Sequence, residues 1–195
     1  KVKIKTEVLE GAFFYKLKEV CDREMPDVVV IGSQGSTASD RFFFGSLAVN
    51  AMKNLEWPLV TVPVGATYST IKKIGLACDL DEEVDTKITE ELKALVSDFN
   101  AELHVVNVGK PREYKSNVVF ESTMLERKLS PVKPIYHFIT NENTDEAIIV
   151  FTEKNNIDLL VTLPKRHSFL DRLIHKSHTK KMVLHSPVPL MALHQ

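Results

Sequence analysis

Sliding the chain along itself by 131 residues brings Asp27–Pro58 onto Asp158–Pro189 without a gap, and no other feature constrains the fold as much. Asp27, Val30, Asp40, Arg41, Ser46, Pro58 and Leu59 fall on Asp158, Val161, Asp171, Arg172, Ser177, Pro189 and Leu190, while Val28-Val29 meets the equally apolar Leu159-Leu160. Self-similarity at a fixed offset means that one supersecondary unit is used twice. The match runs on upstream more weakly: Val2, Ile4, Thr6 and Val8 land on Lys133, Ile135, His137 and Ile139. Each copy is therefore expected to hold a strand, an amphipathic helix, a second strand, a loop, another helix and a last strand.

Only the second copy is preceded by more chain of the same kind. From Ile71 a strand runs to Cys78, and Val84, Ile88, Leu92, Leu95 and Phe99 then mark one face of a helix. A strand follows at Leu103–Val108 and a helix at Val118–Leu129. Strands alternating with helices at this spacing build an α/β domain with a parallel sheet and right-handed crossovers. Residues 1–66 read as the later half of a first unit and residues 67–195 as a complete second one. The first unit begins at its third strand, so a further expectation is that another polypeptide segment completes it, as a homo-oligomer or a missing N-terminal segment. The closing strands Leu59–Pro63 and Leu190–Leu193 follow Trp57-Pro58 and Val188-Pro189, and they are expected to be edge strands through which the units meet.

Candidate chemistry sits at the loop of the first copy. Val28-Val29-Val30-Ile31 is apolar at every position and rich in β-branched residues, as a strand covered on both faces should be. Gly32 and Gly35 follow, and Gly45-Ser46 comes after nine further residues, just before the helical pattern of Leu47, Ala48, Ala51 and Met52. Glycines let a ligand approach the main chain, and free amides at a helix start attract an anion. A Walker A loop would place Lys and Ser/Thr after its last glycine, and the dinucleotide fingerprint needs Gly-x-Gly-x-x-Gly. Neither spacing is present. A glycine-rich βα turn with no ligand is the plain alternative.

The spacing Gly32-x2-Gly35-x9-Gly45-Ser46 resembles the adenine-nucleotide motif of the universal stress protein family, and Ile74–Asp79 and Leu103–Val108 resemble that family's first two strands. The resemblance implies a parallel five-stranded sheet of order 3-2-1-4-5 flanked by helices, as a tandem repeat with an incomplete first unit. It also implies ATP or AMP held by Gly32, Gly35, Gly45, Ser46 and Leu47, with Mg2+ as the companion of ATP, and a role in stress-linked signalling. In the second copy Gly32, Gly35 and Gly45 become Leu163, Arg166 and Lys176, and only the serine persists, as Ser177. A Cβ there obstructs approach to the main chain, so the second unit is expected to keep the fold without the site. Asp79 is left as a structural acceptor or a ligand contact.

Composition narrows the remaining classes. A formal net charge of -1 gives no case for nucleic acid, and no apolar stretch approaches membrane-spanning length. Cys21 and Cys78 form no CxxC pair and point to a reducing compartment, hence to the cytoplasm. The stretch from Lys165 to His185 carries six Lys/Arg against one acid, which reads either as a solvated helix or as Arg166 and Lys176 drawing a phosphate by charge. His175 and His178 lack a third zinc ligand. Ser33, Ser36 and Ser46 have no identifiable base, so binding and not turnover is expected. The rival from another class is a nucleotide-free module that pairs through exposed sheet edges.

Overall fold

The computed structural model describes residues 2–33, 38–67, 70–78, 84–109, 117–163 and 186–194, with the backbone alone described for 38–45 and 117–122. Its strands are β1 Val29–Gly32, β2 Leu59–Val62, β3 Lys73–Ala77, β4 Glu102–Gly109, β5 Ile135–Thr140, β6 Leu159–Thr162 and β7 Leu190–Ala192. The helices are α1 Phe13–Glu24, α2 Ala38–Asn54, α3 Thr86–Phe99, α4 Asn117–Leu129 and α5 Thr144–Lys154.

All seven strands form one sheet in the order β1-β2-β7-β6-β3-β4-β5. The sheet is mixed, not a five-stranded parallel one. Five of its strands, β5-β4-β3-β6-β7, are mutually parallel and follow the expected 3-2-1-4-5 sequence within the second copy. The first copy adds β1 and β2, parallel to each other, through an antiparallel β2–β7 seam pairing Leu59 with Ala192, Val60 with Met191 and Thr61 with Leu190. The two closing strands do meet, but each is thereby made internal, and among the described residues the edges of the sheet are β1 and β5.

Sequence periodicity explains the layers. On one face α1, α2 and α5 bring Cys21, Ala48, Ala51, Met52, Leu55, Ile148 and Phe151 against Val29, Leu59, Leu160 and Leu190. On the other, Ile88, Leu92 and Val96 of α3 and Leu125 and Leu129 of α4 cover Ile74, Leu76, Leu159 and Val161. The i, i+4, i+8 spacing of the α3 residues predicts that stripe. Asp85 caps α3 by accepting from Lys87 N–H at 2.7 Å, and Asn143 caps α5 by accepting from Glu146 N–H at 3.3 Å. Trp57 and Val188 flank the seam, half-buried against the first core, and Lys18 Nζ stands 5.4 Å over the Trp57 ring.

Two local expectations fail. Residues 2–10 form no strand, and Val2, Ile4 and Val8 are exposed. The equivalent stretch of the second copy, β5, is held by pairing with β4 from His104–Ile135 through Gly109–Thr140. Alternation alone does not make a strand without a neighbour to hydrogen-bond, and residues 2–10 have none among the described residues. They lie instead along α1, where Lys5 pairs with Glu24 at 2.6 Å and Glu7 with Arg23.

The second failure concerns the helix start. Gly45 and Ser46 do not open a helix, because α2 already begins at Ala38. No proline interrupts residues 38–44. A single glycine inside a helix costs only about 0.5 to 1 kcal/mol, too little to set the boundary.

Candidate functional site

The carboxyl ends of β1 and β2 lie side by side, because these strands are parallel and registered from Val29–Leu59 to Gly32–Val62. Ser33 N–H donates to the Val62 carbonyl at 2.8 Å and locks the two ends together. Gly32 closes β1 with no side chain above the main chain, so the rim is low at this point. The Ser33 hydroxyl is buried and has no hydrogen-bond partner among the described residues. A buried polar atom without a partner is costly, and it marks where an acceptor or donor from outside the chain would be welcome.

Of the four residues singled out from the sequence that the structure describes, Gly32 alone lies on this rim. Gly45, Ser46 and Leu47 lie on α2, with Ser46 exposed and Leu47 half-buried, and Gly35 lies outside the described residues. At seven to nine residues past the first residue of α2, the amides of Gly45–Leu47 are placed for intrahelical bonds and not for an anion. Asp79, Arg166, Lys176 and Ser177, with the whole basic segment from Lys165 to His185, also lie outside the described residues.

The second copy offers a different rim. β2 and β7 run antiparallel, so the carboxyl ends of β3 and β6 open on the opposite side of the sheet from Gly32. Nothing at the end of β3 can therefore join a ligand at Gly32. Where the first copy has Gly32, the second has Leu163, a buried side chain in the core formed with α3 and α4. The residue after it is Pro164, which has no N–H to repeat the bond that Ser33 makes.

Sequence reasoning passed over a pair of histidines. His104 Nδ1 and His137 Nε2, on adjacent strands β4 and β5, are 3.1 Å apart, and the Glu102 carboxylate lies 3.4 Å from His104 Nε2. Burial, with the neighbouring His104, holds the His137 imidazole below its ordinary 6.5. The signal was present as inward-facing histidines in otherwise apolar strands. The pair lies towards the beginning of β4 and sits at the amino ends of the second-copy strands, so it belongs to neither carboxyl rim. His194, near the seam, shares a 2.8 Å hydrogen bond with the Met52 carbonyl, and burial likewise lowers its pKa.

Comparison with known proteins decides the family. The model of the universal stress protein family matches residues 1–63 and 70–194. The chain belongs to the universal stress protein family. This universal stress protein is similar to one from Synechocystis sp., at 28% identity over 176 residues that make up 85% of this chain and 57% of that protein. The crystal structure of a universal stress protein from Archaeoglobus fulgidus DSM 4304 superposes with a TM-score of 0.65 at 14% identity, covering 93% of this chain and 64% of that one. A universal stress protein solved in complex with cAMP gives a TM-score of 0.50 at 12% identity, over 65% of this chain and 98% of that one. The chain thus spans less than two thirds of the length of the Synechocystis and Archaeoglobus relatives. The two solved structures establish a shared fold. Among the described residues no helix is long and apolar enough to cross a membrane.

Proposed function

We propose that this universal stress protein binds an adenine nucleotide, ATP or AMP, at the carboxyl ends of β1 and β2, and that its activity is binding and not turnover. The observation that carries the reading is the difference between the two rims: Gly32 and the buried Ser33 hydroxyl, without a partner among the described residues, in the first copy stand against a buried Leu163 in the second. The solved relative bound to cAMP supports an adenine nucleotide as the ligand class. Gly32 and Gly35 admit the ribose and phosphates, while Gly45, Ser46 and Leu47 donate to phosphate oxygens, with Mg2+ entering on ATP. For those three amides to face a phosphate, the first two turns of α2 must unwind, and Gly45 is the position at which a shortened helix would restart. A cytoplasmic location, tandem use of the repeat and a stress-signalling role belong to the same reading. Cys21 and Cys78 are both buried and in the thiol form, in keeping with a reducing compartment.

The rival is a nucleotide-free interaction module, favoured by the open edge of β1. Equilibrium binding of labelled ATP and AMP to the intact protein separates the two. The proposal expects a saturable signal that falls by at least about tenfold in Gly45→Val and Gly32→Leu. The rival expects no saturable signal.

A further inference from the structure

Polar side chains on the covered face of a sheet need partners, and β4 and β5 carry a set of them that neither carboxyl rim uses. Glu102 and His104 share one face of β4 by the two-residue alternation of a strand. His137 of β5 shares that face because it stands opposite Val106. His104 is 5% exposed, and Phe151 of α5 packs edge-on against His137 with ring centroids 4.9 Å apart. Among the described residues, the charged groups on the surrounding elements are as follows. Lys73 of β3 has its ammonium 4.0 Å from Glu102 and donates to the Asn155 carbonyl at 3.3 Å. Beyond it, Asp158 at the start of β6 accepts from the amides of Lys72 and Lys73 at 2.8 and 2.9 Å. On α5, Asp145 and Glu146 sit in the first turn, away from Phe151, while Glu153 and Lys154 are exposed.

The distances assign the protons. His104 Nδ1 and His137 Nε2 face each other at 3.1 Å, and one hydrogen must lie between them, because two lone pairs or two N–H groups in that space repel. A carboxylate only accepts, so the Glu102 oxygen 3.4 Å from His104 Nε2 gives that nitrogen its N–H. Neutral His104 then has a bare Nδ1, to which His137 donates through Nε2. The bare nitrogen that remains is His137 Nδ1. A first added proton goes there and leaves the bridge whole, with Glu102 supplying the opposite charge. A second proton finds only His104 Nδ1, which is the bridge itself, and sets N–H against N–H. Burial, and after it the neighbouring His104, depress the pKa of His137, so even the first step waits for mild acid.

We propose that Glu102, His104 and His137 form an acid-operated clasp on β5: the cluster takes up one proton with its bridge intact, and a second proton breaks the bridge and loosens β5 from β4. The strand is open to such control because β4 is its sole strand neighbour among the described residues, and its Ile135 and Phe138 are 46% and 64% exposed. The bridge ties the two strands side chain to side chain, in addition to their backbone bonds. Its two proton steps belong to the pair and not to either ring alone. This inference does not depend on nucleotide binding.

The test is nitrogen NMR of the histidine rings in the intact protein as pH is lowered from about 7.5 to about 4.5, with amide hydrogen exchange read at the same points. At the upper end both rings are expected as Nε2–H tautomers. His137 Nδ1 should then gain its proton with β5 protection unchanged. The second step should shift His104 Nδ1 and lower the protection of Tyr136–Thr140 at least about tenfold relative to β3. Glu102→Gln, at a side chain 62% exposed, should move both steps down by about 0.5 pH unit. His137→Leu, which has no bridge, should show one step and no fall in β5 protection with it. An Nδ1–H tautomer of His104 at the upper end, titration of both rings in one step, or β5 protection unchanged through the second step overturns the proposal. Protection lost equally in β3 and β6 assigns the change to global unfolding and overturns it too.

Discussion

Residues 27–62 and 158–193 share one sequence pattern, yet among the described residues the first strand of one stretch has a neighbour on both sides and that of the other on one side. Both use an aspartate, a four-residue apolar strand and a proline-led closing strand, with matched backbone bonds to Pro58 and Pro189. The difference lies in what surrounds them: β6 has β3 beside it, and β1 has no second strand beside it among the described residues. Similar local sequence thus specifies a strand, while its stability and its chemistry are set by neighbours distant in the chain.

The sharpest way to break this comparison is to place one charge in each copy. Val161→Asp buries an unpaired carboxylate and should cost on the order of 4 kcal/mol or more, whereas Val30→Asp should cost no more than about 1 kcal/mol, both read from urea unfolding. Equal penalties would mean that β1 is covered after all. A gentler pair concerns the aspartates. Asp158→Ala removes the acceptor for two amides and should lower stability by about 2 kcal/mol, against less than about 0.5 kcal/mol for Asp27→Ala.

The smallest expected effect is with pH. His137 and His194 both titrate below 6.5 in the folded protein, chiefly because burial disfavours the charged ring. The unfolded chain consequently binds more protons below that value. Their contribution is complete above pH 6.5 and is lost as pH falls through the folded values. Unfolding midpoints at pH 7.5 and 5.5 should show the decline, and His194→Gln should flatten it.

How much of this was legible beforehand follows the same division. Leu103–Val108, the α3 stripe and the pairing of the closing strands could be read because burial period and repeat both act locally. Val2–Val8 misled because alternation records which side chains could face a core and not whether a partner strand exists. Gly45-Ser46 misled because glycine permits a helix boundary without requiring one, and α2 runs from Ala38. Gly32 was expected at the end of a strand, and it closes β1. The Ser33 hydroxyl went unnoticed as a site because its lack of a partner becomes visible only once β1 and β2 are side by side. Asp27 and Asp158 were matched, but the different bonding of the two carboxylates depends on a β3 that the alignment of the copies does not contain.

The β2–β7 seam has a consequence for synthesis. Its paired residues, such as Leu59 with Ala192 and Thr61 with Leu190, lie about as far apart in the chain as any in the sheet. A ribosome delivers the chain from the amino end at roughly 5 to 20 residues per second, so β2 is made several seconds before β7. Through that interval β2 can pair with β1 but carries its other row of backbone groups bare. The last three-residue strand closes two pairings at once, one to the neighbour just made and one to a strand that has been waiting since early in translation. Contacts of such long range are slow to form. A nascent chain held before residue 190 is therefore the form most exposed to strand-mediated aggregation.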